Sequence, residues 1–183
     1  MNLIFIIIII VLIYIIYLFN HLIVYKNRVK NAFAQIDVQL KKRSDLIPKL
    51  VQVVKGYAKH ERETFEQITK MRSLLLKALN NKNLKDTASA DAEISQLLKR
   101  LLLVAENYPE LKANQNFLML QEEITAVEDK IAFARQLYND LVMRYNNLCE
   151  KFPSNIIAKL FNFKKFDFYK ATNQEREDIT ITF

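Results

Sequence analysis

Apolar residues fill the chain from Leu3 to Phe19 without a charge, a glycine or a proline, and beyond that run they thin into stripes recurring every three or four residues as far as Phe152. The first regime is seventeen residues long. With Leu22, Ile23, Val24 and Tyr25 beyond Asn20 and His21, it reaches the ~20 residues a helix needs to cross ~30 Å of hydrocarbon. The second regime is amphipathic. Phe117, Leu120, Ile124, Val127, Ile131, Ala134, Tyr138, Leu141, Tyr145, Leu148 and Phe152 alternate three- and four-residue steps, which predicts one helix roughly 50 Å long with a single apolar seam. Ala90, Ile94, Leu97, Leu101, Val104 and Tyr108 repeat the pattern, as do Phe65, Ile68, Met71, Leu75 and Ala78. Val29, Phe33, Ile36, Leu40, Ile47, Leu50, Val54 and Tyr57 keep it too, with Arg43 in a seam position. Stripes of this kind are buried only against one another. They predict an all-α fold: an N-terminal transmembrane helix followed by an antiparallel, up-and-down-like four-helix bundle.

The polar breaks agree with that division. Asn80 to Asn83, and Pro109 with Asn114 to Asn116, read as turns between helices. Pro153 ends the long helix, and Ser154 is placed to cap a short one carrying Ile156, Ile157, Leu160 and Phe161. Pro48 removes a backbone donor and crowds the carbonyl four residues back, so a kink or a restart is expected near Ser44 and Asp45. Gly56 is the single glycine and marks a bend before the Phe65 segment. One Gly and three Pro, where average usage would give roughly 13 Gly, are too few turn residues for a sheet protein. The same scarcity rules out the Gly-rich phosphate loops.

No basic residue precedes the apolar core, the core is long, and no small-residue cleavage site follows it, so an uncleaved anchor is expected rather than a removed signal. Lys26, Arg28 and Lys30 come directly after the segment. By the positive-inside rule this puts the N-terminus outside and the bundle in the cytoplasm, on the cell membrane. Residues 26 to 59 hold nine basic and two acidic side chains, which accounts for the whole net charge of +7. Basic residues near a bilayer attract anionic headgroups at ~1 kcal/mol each, over a Debye length of ~8 Å. Only Lys26, Arg28 and Lys30 lie close enough to be membrane-surface residues. No aromatic-basic recognition module accompanies the patch, so no nucleic-acid partner is expected.

Catalytic chemistry finds little support in the residue pattern. His60-Glu61 begins like a zincin helix, but the second ligand position is Thr64. Cys149 is the sole thiol, so neither an internal disulfide nor a C-x-x-C pair exists. No Glu-x-x-His pair is available for a di-metal bundle site. We expect no catalytic, cofactor-binding or metal-binding residues, no small-molecule substrate, and no enzyme.

Polar residues beside the seams carry more information. Asp37, Arg43 and Asp45 lie in or beside an otherwise apolar stripe, and Asp37 is placed to pair with Lys41 one turn away at the surface. A buried Arg43 would reach a carboxylate of the long helix and set register. Arg43, Pro48 and Gly56 are therefore structural candidates. Near the end of the chain, Phe161, Phe163, Phe166, Phe168 and Tyr169 with Lys164 and Lys165 form an aromatic-basic segment. It either closes the bundle or lies among lipid headgroups. Ile179, Ile181 and Phe183 alternate with polar residues, as an added strand or a disordered end would. Phe163, Phe166, Phe168, Ile181 and Phe183 are the candidate partner contacts.

Several stretches together resemble the LemA family. They run from Ala32 through Pro48, then Val54-Lys55-Gly56-Tyr57-Ala58 with His60-Glu61, and Glu106 through Asn114. Ile131-Ala132-Phe133-Ala134-Arg135 with Tyr138-Asn139-Asp140, and Tyr145-Asn146 leading to Phe152 through Ala158, complete the set. The resemblance covers residues 26 to 163 in order and implies a bacterial-type membrane protein with one N-terminal anchor and a helical bundle. It implies no catalytic residues. The segment from Phe161 to Tyr169 does not map onto the family pattern. The expected organisation is an anchor over residues 1–25, a LemA-like helical bundle over 26–163 and an aromatic-basic tail over 164–183. The expected function is that of a non-catalytic, envelope-associated single-pass scaffold or adaptor, self-associating or recruiting a protein partner. The alternative is a lipid-binding membrane organiser that uses the juxtamembrane basic and C-terminal aromatic segments.

Overall fold

The computed structural model describes residues 2–58 and 61–170, and every regular element among them is a helix. The order is α1 (Asn2–Lys55), α2 (Arg62–Asn80), α3 (Leu84–Glu106), α4 (Pro109–Lys112), α5 (Gln115–Glu150) and α6 (Ser154–Leu160). The all-α class and the long apolar N-terminal helix follow the sequence pattern. α1 carries the apolar run into the amphipathic stretch without a break. Its first part is long and apolar enough to cross a membrane, and its large side chains there are almost all exposed, from Leu3 to Tyr17. Leu18 and Leu22 are the first that the rest of the protein covers.

The described residues form two compact units, one of residues up to Gln35 with 134–168, the other of residues from Ile36 to Phe133 with Tyr169 and Lys170. In the first, Leu22, Val29 and Ala32 of α1, Tyr138, Val142, Tyr145 and Cys149 of α5, and Ile157 and Ala158 of α6 are buried. In the second, the core draws on Ile36, Leu40, Ile47, Leu50 and Val54 of α1 and Phe65, Ile68 and Leu75 of α2. Ile94, Leu97 and Leu101 of α3 and Ile124, Val127 and Ile131 of α5 complete it.

Three local expectations need correction. The seam of α5 does not hold a strict heptad. After Tyr138 the buried positions are Val142, Tyr145 and Cys149 rather than Leu141, Leu148 and Phe152, and Phe152 is 80% exposed. From Ile124 to Cys149 the stripe advances 25 residues in seven turns, close to the 3.6 per turn of a straight helix, whereas an unbroken heptad would need 3.5. Ser154 does not cap α6; Pro153 holds that position. The Ser154 hydroxyl instead bonds the Leu148 and Lys151 carbonyls at 2.6 and 2.9 Å, meeting acceptors that the end of α5 leaves open. Lys41 pairs with Asp45 at 2.5 Å, one turn ahead of it, rather than with Asp37.

Of the two outcomes expected at Pro48, a kink or a restart, the restart does not occur: the proline lies inside α1. Lacking an N–H, Pro48 cannot serve the carbonyl of Ser44, and Arg72 Nε from α2 donates to that oxygen at 2.7 Å. α1 ends at Lys55, and the N–H of Gly56 turns back to the Val53 carbonyl at 3.2 Å.

Candidate functional site

An arginine with no exposed surface is the largest fully buried side chain of the described residues. Arg43 occupies a seam position on α1, where a hydrophobic residue would stand by pattern, so burying its charge demands partners. α3 and α5 supply them. Nη1 donates to Glu128 Oε1 at 2.6 Å and to Ser95 Oγ at 2.8 Å. Nη2 donates to a carboxylate oxygen of Asp91, which has no exposed surface either, and to the Asp91 backbone carbonyl at 3.2 Å. The other Asp91 oxygen, Oδ2, accepts from the Tyr169 hydroxyl at 2.5 Å. One chain of polar contacts thus links Arg43 of α1, Asp91 and Ser95 of α3, Glu128 of α5 and Tyr169. Arg43 balances the buried Asp91, while the Glu128 side chain keeps 34% of its surface in solvent. That leaves no uncompensated charge fully buried.

Arg43 and the long helix were legible as a pair from the seam position; Asp91, Ser95 and Tyr169 were not. Asp91 sits next to Ala90 on the widened stripe of α3, and its charge was the available signal. Asp37, half-buried beside this unit's core, has an Oδ1 that finds no hydrogen-bond partner among the described residues. Burial pushes its carboxyl up, and Lys82 pulls it partly back.

A second cluster forms in the other unit, where α1 emerges from its bare apolar stretch. The rings of Phe161 and Phe163 meet Phe19 edge-on, with centroids 4.8 and 5.8 Å away. Lys26 Nζ lies over the Phe163 ring at 5.4 Å, and Arg28 over the Tyr25 ring at 5.1 Å. Lys30 is exposed. Phe166 packs on Tyr145 at 5.2 Å, and its backbone N–H and carbonyl are both held by the Asn146 side chain at 3.0 and 2.9 Å. The hydroxyls of Tyr138 and Tyr145 donate to the carbonyls of Asp167 and Lys164 at 2.9 and 3.1 Å. Burial and the nearby Asp167 raise the Tyr138 phenol to about 12. Desolvation and the Cys149 contact push the Tyr145 phenol up. The segment after α6 is therefore held against α1 and α5 as far as Asp167, with Phe168 left exposed. Of the candidate partner contacts, Phe163 and Phe166 have intramolecular neighbours and Phe168 faces solvent. Ile181 and Phe183, like His60, lie outside the described residues.

Cys149 is buried, and burial pushes its thiol up. Among the described residues no three His, Cys, Asp or Glu side chains are grouped to hold a metal ion. A surface groove of about 880 Å3 runs past Lys55, Arg62, Phe65, Glu66, Thr69 and Lys70.

The model of the LemA family matches residues 32–183, so the segment from Phe161 to Tyr169, expected to fall outside the family pattern, lies within the match. The chain is 28% identical over 162 residues to Protein LemA of Metamycoplasma hominis, a match covering 87% of this chain and 72% of that protein. It is 29% identical over 86 residues to Magnetosome protein MamQ 2 of Paramagnetospirillum magneticum and 26% identical over 85 residues to Magnetosome protein MamQ of Magnetospirillum gryphiswaldense. Those two matches span 47% and 46% of this chain but only 32% and 31% of the magnetosome proteins.

Proposed function

The chain belongs to the LemA family, and we propose that it is a single-pass membrane scaffold whose helical domain presents a protein-binding surface without catalysing a reaction. The observation that carries this reading is the continuity of α1. One continuous helix contains both the exposed apolar stretch and Arg43, so the anchor candidate and the interaction domain are joined without an intervening loop. Confinement to a plane raises the effective concentration of anything the domain holds. In this reading α1, α2, α3 and α5 are the four members of an up-and-down bundle, residues 1–25 are the anchor, and the N-terminus lies outside with the bundle in the cytoplasm. The test is photocrosslinking in native membranes from a reactive side chain placed at Phe168. Repeated capture of one heterologous protein, or of a second copy, supports the scaffold. Capture of lipid alone contradicts it.

The second reading is a lipid-directed membrane organiser, supported by the Lys26 cation over Phe163 at the end of the apolar stretch. Replacing Lys26, Arg28 and Lys30 by Gln would then release anionic lipid that otherwise co-purifies with the full chain.

A further inference from the structure

α6 is apolar on both sides. Ile157 and Ala158 are 5% and 2% exposed and pack into the protein. The opposite face and its two flanks leave Phe152, Ile156, Leu160 and Phe161 at 80, 54, 73 and 51% exposure. Ile156 and Leu160 are one turn apart and share a face. Single exposed hydrophobics are ordinary, whereas four large ones within ten residues form a patch that something must cover.

The structure says where that patch lies. Phe161, which closes it, contacts Phe19, the last residue of the uninterrupted apolar run, at 4.8 Å. Two residues on, Phe163 sits under Lys26, seven residues further along α1, or roughly 10 Å at 1.5 Å per residue. The chain after α6 therefore spans the same depth as the end of the anchor, from its last phenylalanine to its first lysine. Lys151, Lys159 and Lys164 around the patch are exposed. A short apolar face with a basic rim is the composition of an element lying in the plane of a bilayer interface.

We propose that α6 is an interfacial element, with Phe152, Ile156, Leu160 and Phe161 seated in the acyl-headgroup boundary of the bilayer that α1 crosses. This rests on the anchor reading above. It assigns the membrane contact to α6 in addition to the juxtamembrane lysines. It also gives the protein a second attachment point, which restrains the tilt and rotation of α1.

Three single-cysteine versions of the full chain, made in a Cys149→Ser background, separate the outcomes: Ile10→Cys, Leu160→Cys and Asp140→Cys. Each is labelled with an environment-sensitive fluorophore and reconstituted in phosphatidylcholine-phosphatidylglycerol vesicles with the bundle outward. Nitroxides near the top of the acyl chains should quench the label at 160 severalfold more than that at 140, and iodide in the water severalfold less. If position 160 meets iodide as freely as 140 while position 10 is quenched by lipid, α6 is not interfacial and the anchor stands. Shielding of 160 from iodide without lipid quenching means that another protein surface covers the patch, which also overturns the proposal. Loss of lipid quenching at both 10 and 160 removes the anchor reading and this one together.

Discussion

Arg72 Nε donates a 2.7 Å hydrogen bond to the backbone carbonyl of Ser44, the one acceptor in that turn of α1 that Pro48 deprives of its helical donor. A side chain of α2 thereby repairs a break in the ladder of α1, and the proline becomes a docking point between helices. Arg72 Nη2 lies 4.0 Å from Asp45 as well, a partly exposed pair that adds little.

Arg72→Ala should destabilise the protein by about 1–3 kcal/mol, since it leaves a carbonyl without a partner. In a Pro48→Ala background the residue 48 N–H can serve Ser44, and the same substitution should cost much less. A chemical-denaturation cycle over both positions measures the coupling. Equal costs in the two backgrounds would separate Arg72 from the proline.

Arg43→Met should cost about 3–5 kcal/mol, because it strands the buried Asp91. Adding Asp91→Leu should recover much of that loss, as two apolar side chains can replace a buried ion pair. Thermal melts of the single and double variants are the measurement. If Arg43→Met were neutral, the network would hold nothing together.

Tyr169→Phe removes a hydroxyl bonded to a carboxylate, a contact worth about 1.5–3 kcal/mol. It should loosen the segment after α6, seen as faster limited proteolysis between Asn162 and Lys170. An unchanged cleavage rate would show that the segment is held by Phe163 and Phe166 without Tyr169.

Asp37 sets a pH dependence of opposite sign to that of a salt-bridged carboxylate. Its folded-state pKa is raised above 3.8, so the native state binds the proton more tightly, and stability falls as pH rises from there through the folded value. Asp37→Asn should raise the melting temperature at neutral pH and leave it nearly unchanged under acidic conditions. A gain of the same size at both pH values would assign the effect to something other than titration.

Much of this architecture was legible residue by residue. Apart from half-buried Leu120, the steps from Phe117 to Tyr138 match the buried side of α5 because any partner must cover that face. Beyond Tyr138 the reading slipped by one position. Leu141 and Val142, like Leu148 and Cys149, are adjacent apolar residues, so composition could not say which faces inward; the natural period of a helix chose the second of each pair. Arg43 stood out because a charge in an apolar stripe is costly anywhere. Asp91, Ser95 and Tyr169 did not, since each is unremarkable on its own element, and only folding brings them to the guanidinium. Ser154 was mistaken for a cap because local sequence shows a hydroxyl before a helix without showing which carbonyls lie within reach.

The sequence by itself determined the class of fold, the apolar anchor candidate and the family, because these rest on periodicity, run length and local residue identity, which are properties of consecutive positions. Only the tertiary structure decided who satisfies the buried charge of Arg43, which side chain mends the gap at Pro48, and that the face of α6 opens beside the end of the apolar run. Those are distances between residues far apart in the chain, set by how helices pack, and no local pattern encodes them.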